Sequence, residues 1–349
     1  MYSMNQNIMS ENLIQKNSSI KDVVKRLQKV KIKTLIVLNK KYFLGTITDG
    51  DLRRAILNDF KLSAKAEDIA NKKSIFTKET DYSEKLEKIF KEKKIDILPI
   101  VNSKLLYIGY HILEKKLKNE LCDFVIMAGG FGKRLMPLTK KTPKPLIKIK
   151  KKPMIEHIIQ KAQKEKFSNI KIITHYKSEQ IKHFIKKKFP SVKVYKEIYP
   201  MGTIGGIKKL NLNISSSNNT LITNCDIFTN SSYSSILNFH KSSNADMTVV
   251  TEMKKIQSPF GNIKLSKKKV TKFEEKPELI NNVVIGIYIF KNSVLKYIKN
   301  YRKLDLPNYI NLLIKKNKKI VPYPIVEKWV DIGNKTNLRE AIKYFGKSR

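Results

Sequence analysis

The sequence predicts an α/β protein. A mainly parallel sheet with helices on both faces is expected over residues 120–349, preceded by a smaller α/β module over residues 1–119. Three observations predict this. A chain of 349 residues is long enough for about two domains. From Asp123 onward short apolar strands alternate with amphipathic helices, the pattern of a parallel sheet with crossover helices. Before Asp123, one α-β-β-α pattern occurs twice, over residues 10–62 and 63–119. Apolar residues make up 41% and charged residues 29%, which allows a buried core and excludes wholesale disorder.

In the first copy Ile20, Val23, Val24, Leu27 and Val30 recur at helical spacing. Thr34–Leu38 and Tyr42–Ile47 then read as strands turning at Asn39–Lys41. Thr48, Asp49, Gly50 and Asp51 combine a turn with helix-capping residues, and Leu52–Leu57 continues as helix. In the second copy Tyr82–Lys93 is helical, with Leu86, Ile89 and Phe90 facing inward. Leu98–Val101 and Leu105–Tyr110 are strands turning at Asn102-Ser103, and Ile112–Leu121 is helical again. Such a unit must pair with its copy to bury its sheet.

Residues 119–125 form the join. Phe124–Met127 is an apolar strand that runs into a glycine loop. Met154–Lys166 is a helix, Ile170–Thr174 a strand, Ser178–Lys188 a helix and Val192–Tyr195 a strand. Leu221–Asn224 and Met247–Glu252 are further strands, with a helix over Ser232–His240 between them. Right-handed crossovers place ligands at the carboxyl ends of such strands.

The formal charge of +41 invites a nucleic-acid reading. Only seven of the 71 basic residues are arginine, the side chain that reads base edges and phosphate forks bidentately. The excess is also spread, at +11 over residues 1–118 and +30 over residues 119–349. A lysine-rich surface is therefore expected, with no specific nucleic acid partner. The two cysteines, Cys122 and Cys225, stand far apart in no metal-like spacing, which suits a reducing compartment. Met1–Asn12 has no apolar core of a secretory signal. The longest apolar run, Val283–Phe290, falls far short of the roughly 20 residues a membrane helix needs. A cytoplasmic protein with no membrane partner is expected.

The segment that carries chemistry is Met127-Ala128-Gly129-Gly130-Phe131-Gly132-Lys133-Arg134-Leu135, followed by Pro143-Lys144-Pro145-Leu146. A glycine loop directly after a strand lets backbone N–H groups approach phosphates with no side chain in the way. Arg134 offers a fork for phosphate oxygens and Lys144 a point charge. The string is neither a Walker loop nor a dinucleotide loop, since it lacks Gly-Lys-Ser/Thr and a suitably placed acidic residue.

These residues resemble the signature of the nucleotidyltransferase family that makes nucleotide sugars, here Gly130, Gly132 and Arg134, then Pro143-Lys144. Four later words match that family in order. They are Pro200-Met-Gly-Thr-Ile-Gly-Gly206, Asn224-Cys-Asp226, Glu274-Glu-Lys-Pro277 and Trp329-Val-Asp-Ile-Gly333. The resemblance implies a Rossmann-like, GT-A-like sheet. It also implies transfer of a nucleotidyl group from a nucleoside triphosphate to a sugar 1-phosphate, with pyrophosphate leaving. Catalysis would rest on Arg134, Lys144 and Asp226. Ala128, Gly129, Gly130, Gly132, Gly202 and Thr203 would bind the nucleotide. Glu275, Lys276 and Gly286 would bind the sugar phosphate, and Asp226 and Asp331 would hold Mg²⁺. Lys133 stands where the family often has threonine, and Val284 where many members have a sugar-binding asparagine. Cys225 replaces the usual glycine before the metal aspartate and reads as a tolerated small thiol. His157, His175, His183 and His240 match no family word and read as surface or packing residues.

The Gly202–Gly206 word with Glu197 upstream resembles guanylyltransferases acting on mannose or heptose 1-phosphate, implying GTP, or another triphosphate, as donor. Residues Gly45–Arg53 resemble a tandem CBS-domain pair, in which Thr48-x-x-Asp51 is similar to a nucleotide-binding signature. The second copy has Tyr107-Ile-Gly-Tyr-His111 there, without the Thr and Asp. The pair reads either as a dimerisation and packing module or as a regulatory nucleotide sensor, and it favours a homodimer. CBS pair and transferase together resemble the glucosamine-1-phosphate guanylyltransferases of the legionaminic acid route. Two alternatives stay open: another sugar 1-phosphate, or a non-catalytic nucleotide-sensing protein.

Overall fold

The computed structural model describes residues 11–78, 89–90, 92–93, 95–112, 122–210, 219–266, 268–300 and 303–345. The chain divides into two compact units, Met1–Leu117 and Lys118–Arg349.

The first unit holds two three-stranded sheets of the same design. One joins β1 (Leu13–Gln15), β2 (Thr34–Asn39) and β3 (Tyr42–Thr48), and the other β4 (Thr77–Lys78), β5 (Ile97–Val101) and β6 (Tyr107–Ile112). In each, a short strand runs parallel to the first arm of an antiparallel hairpin. The hairpins carry a register shift at matching places, Val37/Leu38 and Ile100/Val101. Ile36 and Leu38 from one sheet and Ile97 and Tyr110 from the other share one core cluster. The helix Ile20–Lys29 buries Ile20, Val23, Val24 and Leu27, and Ser19 caps it by accepting from the Asp22 amide.

Three differences from the sequence reading have local causes. The short strands β1 and β4 were not anticipated, since two or three residues carry no readable period. The second hairpin turn is longer than expected. The Asn102 side chain accepts from the amides of Lys104 and Leu106, so β6 begins at Tyr107 rather than Leu105. Ile112 lies in β6 and not at the start of a helix. The rest of the expected helix Ile112–Leu121, and most of that over Tyr82–Lys93, fall outside the described residues.

The second unit is built on β7 (Cys122–Ala128), with two short paired strands β8 (Lys148–Ile149) and β9 (Lys152–Pro153) beside it in the chain. Then come β10 (Ile170–Thr174), β11 (Lys193–Lys196), β12 (Asn219–Asn224), β13 (Ile227–Thr229) and β14 (Met247–Gln257). They are followed by β15 (Asn262–Ser266), β16 (Lys269–Glu274), β17 (Glu278–Lys291), β18 (Ile320–Ile325) and β19 (Trp329–Asp331). Seven of them form the main sheet, ordered β11-β10-β7-β12-β17-β14-β18. Only β17 runs antiparallel to its neighbours. The expected mainly parallel sheet is present.

Alternation along β7 explains the layers. Phe124 and Ile126 pack toward the helices Met154–Lys164, Ser178–Lys188 and Tyr233–Ser242, with Ile155, Ile159, Ile181 and Ile236 in the same cluster. Val125 faces the other way, into a cluster with Ile204, Ile207, Tyr309 and Leu313. The chain leaves β7 for β10 on one side and reaches β12 on the other. The carboxyl ends of β7 and β12 therefore flank a topological switch point, where open α/β sheets bind ligands.

Candidate active site

Four chain segments meet at that point. Asn224 pairs with Met127 across β12 and β7, and the Cys225 amide donates to the Met127 carbonyl at 3.0 Å. Asp226 thus leaves the sheet directly beside the glycine loop. β13 and β19 then pair antiparallel, with Ile227 opposite Asp331, and the Ile332 amide donates to the Asp226 carbonyl at 3.0 Å. Backbone pairing holds the two aspartates side by side although they are far apart in sequence.

Lys144 reaches the same place from the turn after the glycine loop. Its ammonium, 8% exposed as a residue, donates to Asp226 Oδ2. The Asp331 carboxyl is raised above its ordinary range, first by burial and then by the nearby Asp226 charge, while Lys144 and Arg134 oppose the shift. Asp331 Oδ1 is buried and has no hydrogen-bond partner. Two hard oxygen donors, one of them unsatisfied, fit a hard divalent cation such as Mg²⁺. No group of three or more His, Cys, Asp or Glu gathers among the described residues, so substrate oxygens and water would complete such a shell.

Arg134 is exposed, and its guanidinium lies over Gly333, where a Cβ would stand 2.9 Å from Nη1. The glycine closing the Asp331 word makes room for the arginine of the first word. Gly132 has φ +66, and its carbonyl accepts from Thr139 Oγ1 at 3.0 Å, which shapes the loop. At Gly130 no atom lies within 4 Å of where a Cβ would stand, so its backbone faces open space. Ala128 is the buried last residue of β7.

Glu197, at the carboxyl end of β11, is 5% exposed. Burial raises its carboxyl, countered by His175 and by the Met201 amide. Its Oε1 has no partner, and its carboxylate sits between Gly129 and Gly206, whose missing side chains leave it space. His175 Nδ1 lies 3.2 Å from the Glu197 carbonyl, and its ring meets Phe131 edge-on.

The second glycine word is fastened from behind. The amides of Ile204 and Gly205 donate to the Leu304 carbonyl, each at 3.2 Å, and the Leu304 amide donates to Met201. The Thr203 amide donates to Asp305 Oδ1 at 3.2 Å, and Thr203 Oγ1 accepts from the Leu306 amide at 2.7 Å. Gly202, at φ +82, lets the Leu304 carbonyl come close. Three amides of this word, those of Thr203, Ile204 and Gly205, are therefore already used.

The remaining expected residues separate. Gly286, at φ +87, packs against Asn224 at the end of β12. Glu275 and Lys276 are exposed after β16, and among the described residues no contact joins them to Asp226, Asp331, Lys144 or Arg134. In the first unit Thr48 and Asp51 form a capping box. The Thr48 amide and hydroxyl both donate to Asp51 Oδ2, and the Asp51 amide donates to Thr48 Oγ1. Arg54 pairs with the other Asp51 oxygen. Sequence reasoning missed Asp305 and Thr251. Asp305, just before Leu306-Pro307, carries a helix-start signal. Thr251, whose buried hydroxyl has no partner, sits at a strand irregularity that no local pattern marks.

Residues 124–348 match the family described as nucleotidyl transferase, and residues 6–58 match the CBS domain. A probable mannose-1-phosphate guanylyltransferase 2 of Oryza sativa subsp. japonica is 27% identical over 219 residues, covering 60% of each chain. A mannose-1-phosphate guanyltransferase of Yarrowia lipolytica is 29% identical over the same length, again covering 60% of each chain. The chain thus spans about 60% of the length of these curated relatives. The fold is similar to a Bacillus anthracis structure titled a glucose-1-phosphate thymidylyltransferase with sucrose. That likeness has TM-score 0.53 at 22% identity, covering 65% of this chain and 96% of that one. It is also similar to HddC of Yersinia pseudotuberculosis complexed with GMP-PN, with TM-score 0.51 at 21% identity, covering 64% and 99%.

Proposed function

Because the chain belongs to the nucleotidyl transferase family, we propose that it joins a sugar 1-phosphate to the nucleotidyl group of a nucleoside triphosphate and releases pyrophosphate. The observation that carries this reading is the convergence of Lys144, Asp226, Asp331 and Arg134 at the switch point. A phosphate oxygen of the sugar 1-phosphate attacks the α-phosphorus in line, and the bond to pyrophosphate breaks. In-line placement and charge neutralisation do most of the work in such transfers.

The chain's own residues divide that work. Arg134 and the open Gly130 backbone hold the departing phosphates, and Lys144 neutralises charge on the transferring group. Asp226 and Asp331 would hold Mg²⁺, which when bound would neutralise charge at the α-phosphate. Ala128, Gly129, Gly132, Gly202 and Thr203 shape the nucleotide pocket, and Gly286, Glu275 and Lys276 the sugar-phosphate end.

The donor in this reading is GTP. The Watson–Crick edge of guanine offers two adjacent N–H groups, which suit a carboxylate such as Glu197, whose Oε1 is buried without a partner. The acceptor is glucosamine 1-phosphate, as the order of CBS module and transferase suggests for the legionaminic acid route. Mannose 1-phosphate is the second reading, supported by what the curated relatives are named for. We place the reaction in the cytoplasm; no helix among the described residues is long and apolar enough to cross a membrane. For the CBS pair the packing and dimerisation role is preferred, since Thr48 and Asp51 already satisfy each other and a regulatory nucleotide would have to open their box. Pyrophosphate release with each triphosphate against glucosamine, mannose and heptose 1-phosphate decides these points. Faster turnover with UTP or CTP than with GTP removes the base assignment, and no release with any pair removes the enzyme reading.

A further inference from the structure

The loop after β7 places one large side chain among glycines, in Gly129-Gly130-Phe131-Gly132. Its two ends are fastened unequally. At Gly132 the carbonyl accepts from Thr139 Oγ1 at 3.0 Å and from the Leu135 amide at 2.9 Å. At Gly129 the carbonyl accepts from the Tyr176 amide at the long distance of 3.5 Å. Among the described residues, the amides of Gly130, Phe131 and Gly132 have no hydrogen-bond partner. Consecutive free amides suit an anion, but glycine backbone does not hold them in one direction by itself.

The Phe131 ring supplies the missing restraint. It meets the His175 ring edge-on, with centroids 5.7 Å apart, and lies tilted against Tyr176 at 5.4 Å. Both partners directly follow β10. The His175 ring is itself held, since its Nδ1 lies 3.2 Å from the Glu197 carbonyl, and the Glu197 amide donates to the Thr174 carbonyl at 2.7 Å. A chain of contacts thus runs from the ends of β10 and β11 through two rings to the middle of the loop. Phe131 stays 44% exposed, so these contacts restrain the loop more than they build the core.

We infer that Phe131 is a positioning residue: resting on His175 and Tyr176, it latches the glycine loop so that the free amides of residues 130–132 converge on a phosphate group. The inference rests on the reaction proposed above only in taking this loop to hold phosphates.

Calorimetric titration of the full chain with magnesium pyrophosphate, which has no base to stack on a ring, tests the latch. Ring contacts of this kind correspond to about a tenfold change in an equilibrium constant. Phe131→Ala should weaken pyrophosphate binding by about that factor at an unchanged melting temperature, and Phe131→Tyr should restore it. Tyr176→Ala should weaken binding in the same way, and the double variant should bind little worse than either single one. KM for GTP and for UTP should rise together in Phe131→Ala. A Phe131→Ala variant that binds pyrophosphate as tightly as the wild type overturns the latch. A loss confined to GTP, with pyrophosphate affinity unchanged, overturns it in favour of a stacking face for the base. A wild type that binds no pyrophosphate overturns it as well. A wild type that binds pyrophosphate and turns over no pair of substrates removes the proposed reaction, while the loss in Phe131→Ala would still uphold the latch.

Discussion

Asp226 and Asp331 are held together by backbone: Ile227 pairs with Asp331, and the Ile332 amide donates to the Asp226 carbonyl at 3.0 Å. The proximity of two like charges is therefore built into the fold and persists when either carboxylate is replaced. Asp226→Asn should leave the melting temperature within a few degrees and reduce pyrophosphate release at least about a hundredfold, since one neutralising oxygen ligand is gone. A variant with wild-type turnover would remove the metal role of this residue.

Lys144, helped by Arg134, offsets the mutual repulsion of the half-buried aspartate pair. Lys144→Met should destabilise the protein by about 1–3 kcal/mol, because it removes the cation paired with Asp226 and leaves only Arg134 near the two carboxylates. Adding Asp226→Asn to it should recover much of that stability and none of the activity. Melting curves of the four proteins in the cycle measure the coupling. Strict additivity would mean that the pair does not interact.

Much of this was readable in the sequence because the transferase core follows local rules. Ile170–Thr174 and Ser178–Lys188 carry a strand and a helix at the expected residues, since each holds a full apolar period bounded by turn residues. Arg134, Lys144, Asp226 and Asp331 could be named from their order alone. Their contacts could not, because the pairing of β13 with β19 joins residues a hundred positions apart through three-residue strands. The β15–β16 hairpin was equally hidden. Its apolar residues are interleaved with lysines, and their outward face is the reverse of what a core-seeking pattern anticipates. The pinning of the second glycine word by Leu304–Leu306 is wholly non-local.

If Glu197 reads the guanine edge, Glu197→Gln should blunt base choice without disturbing the fold, because the amide keeps one acceptor and the same volume. A good bidentate pair supplies about 1–3 kcal/mol of discrimination, so the preference for GTP over UTP should fall by about tenfold to a hundredfold. The ratio of kcat/KM values for the two triphosphates reads this directly. An unchanged ratio would show that another group selects the base.

Asp305 Oδ1 accepts from the Thr203 amide and lies beside Gly202, two residues proposed to shape the nucleotide pocket. Asp305→Ala should free the Gly202–Gly206 word and raise KM for the triphosphate several-fold, with kcat little changed. Asp305→Asn keeps an acceptor at the same place and should behave nearly as wild type. Equal damage from both variants would point to charge at this position rather than to the hydrogen bond.

His240 gives a pH signature separate from catalysis. It is 1% exposed, with Nδ1 2.8 Å from Thr248 Oγ1 and Nε2 3.1 Å from Asn219 Oδ1. Burial, then the Lys291 and Lys241 charges, pushes the imidazole down from 6.5 to about 4. Between those values the unfolded chain binds a proton that the folded chain refuses, so stability falls as pH falls. The loss begins near pH 6.5 and is complete near pH 4, where it reaches about 3 kcal/mol. His240→Gln should be less stable than wild type at pH 7, because its amide cannot satisfy both partners in the same geometry. It should lose less on acidification, so that the two stability curves converge toward pH 4. Denaturant melts of both proteins across that range provide the measurement, and parallel curves would place the acid sensitivity elsewhere.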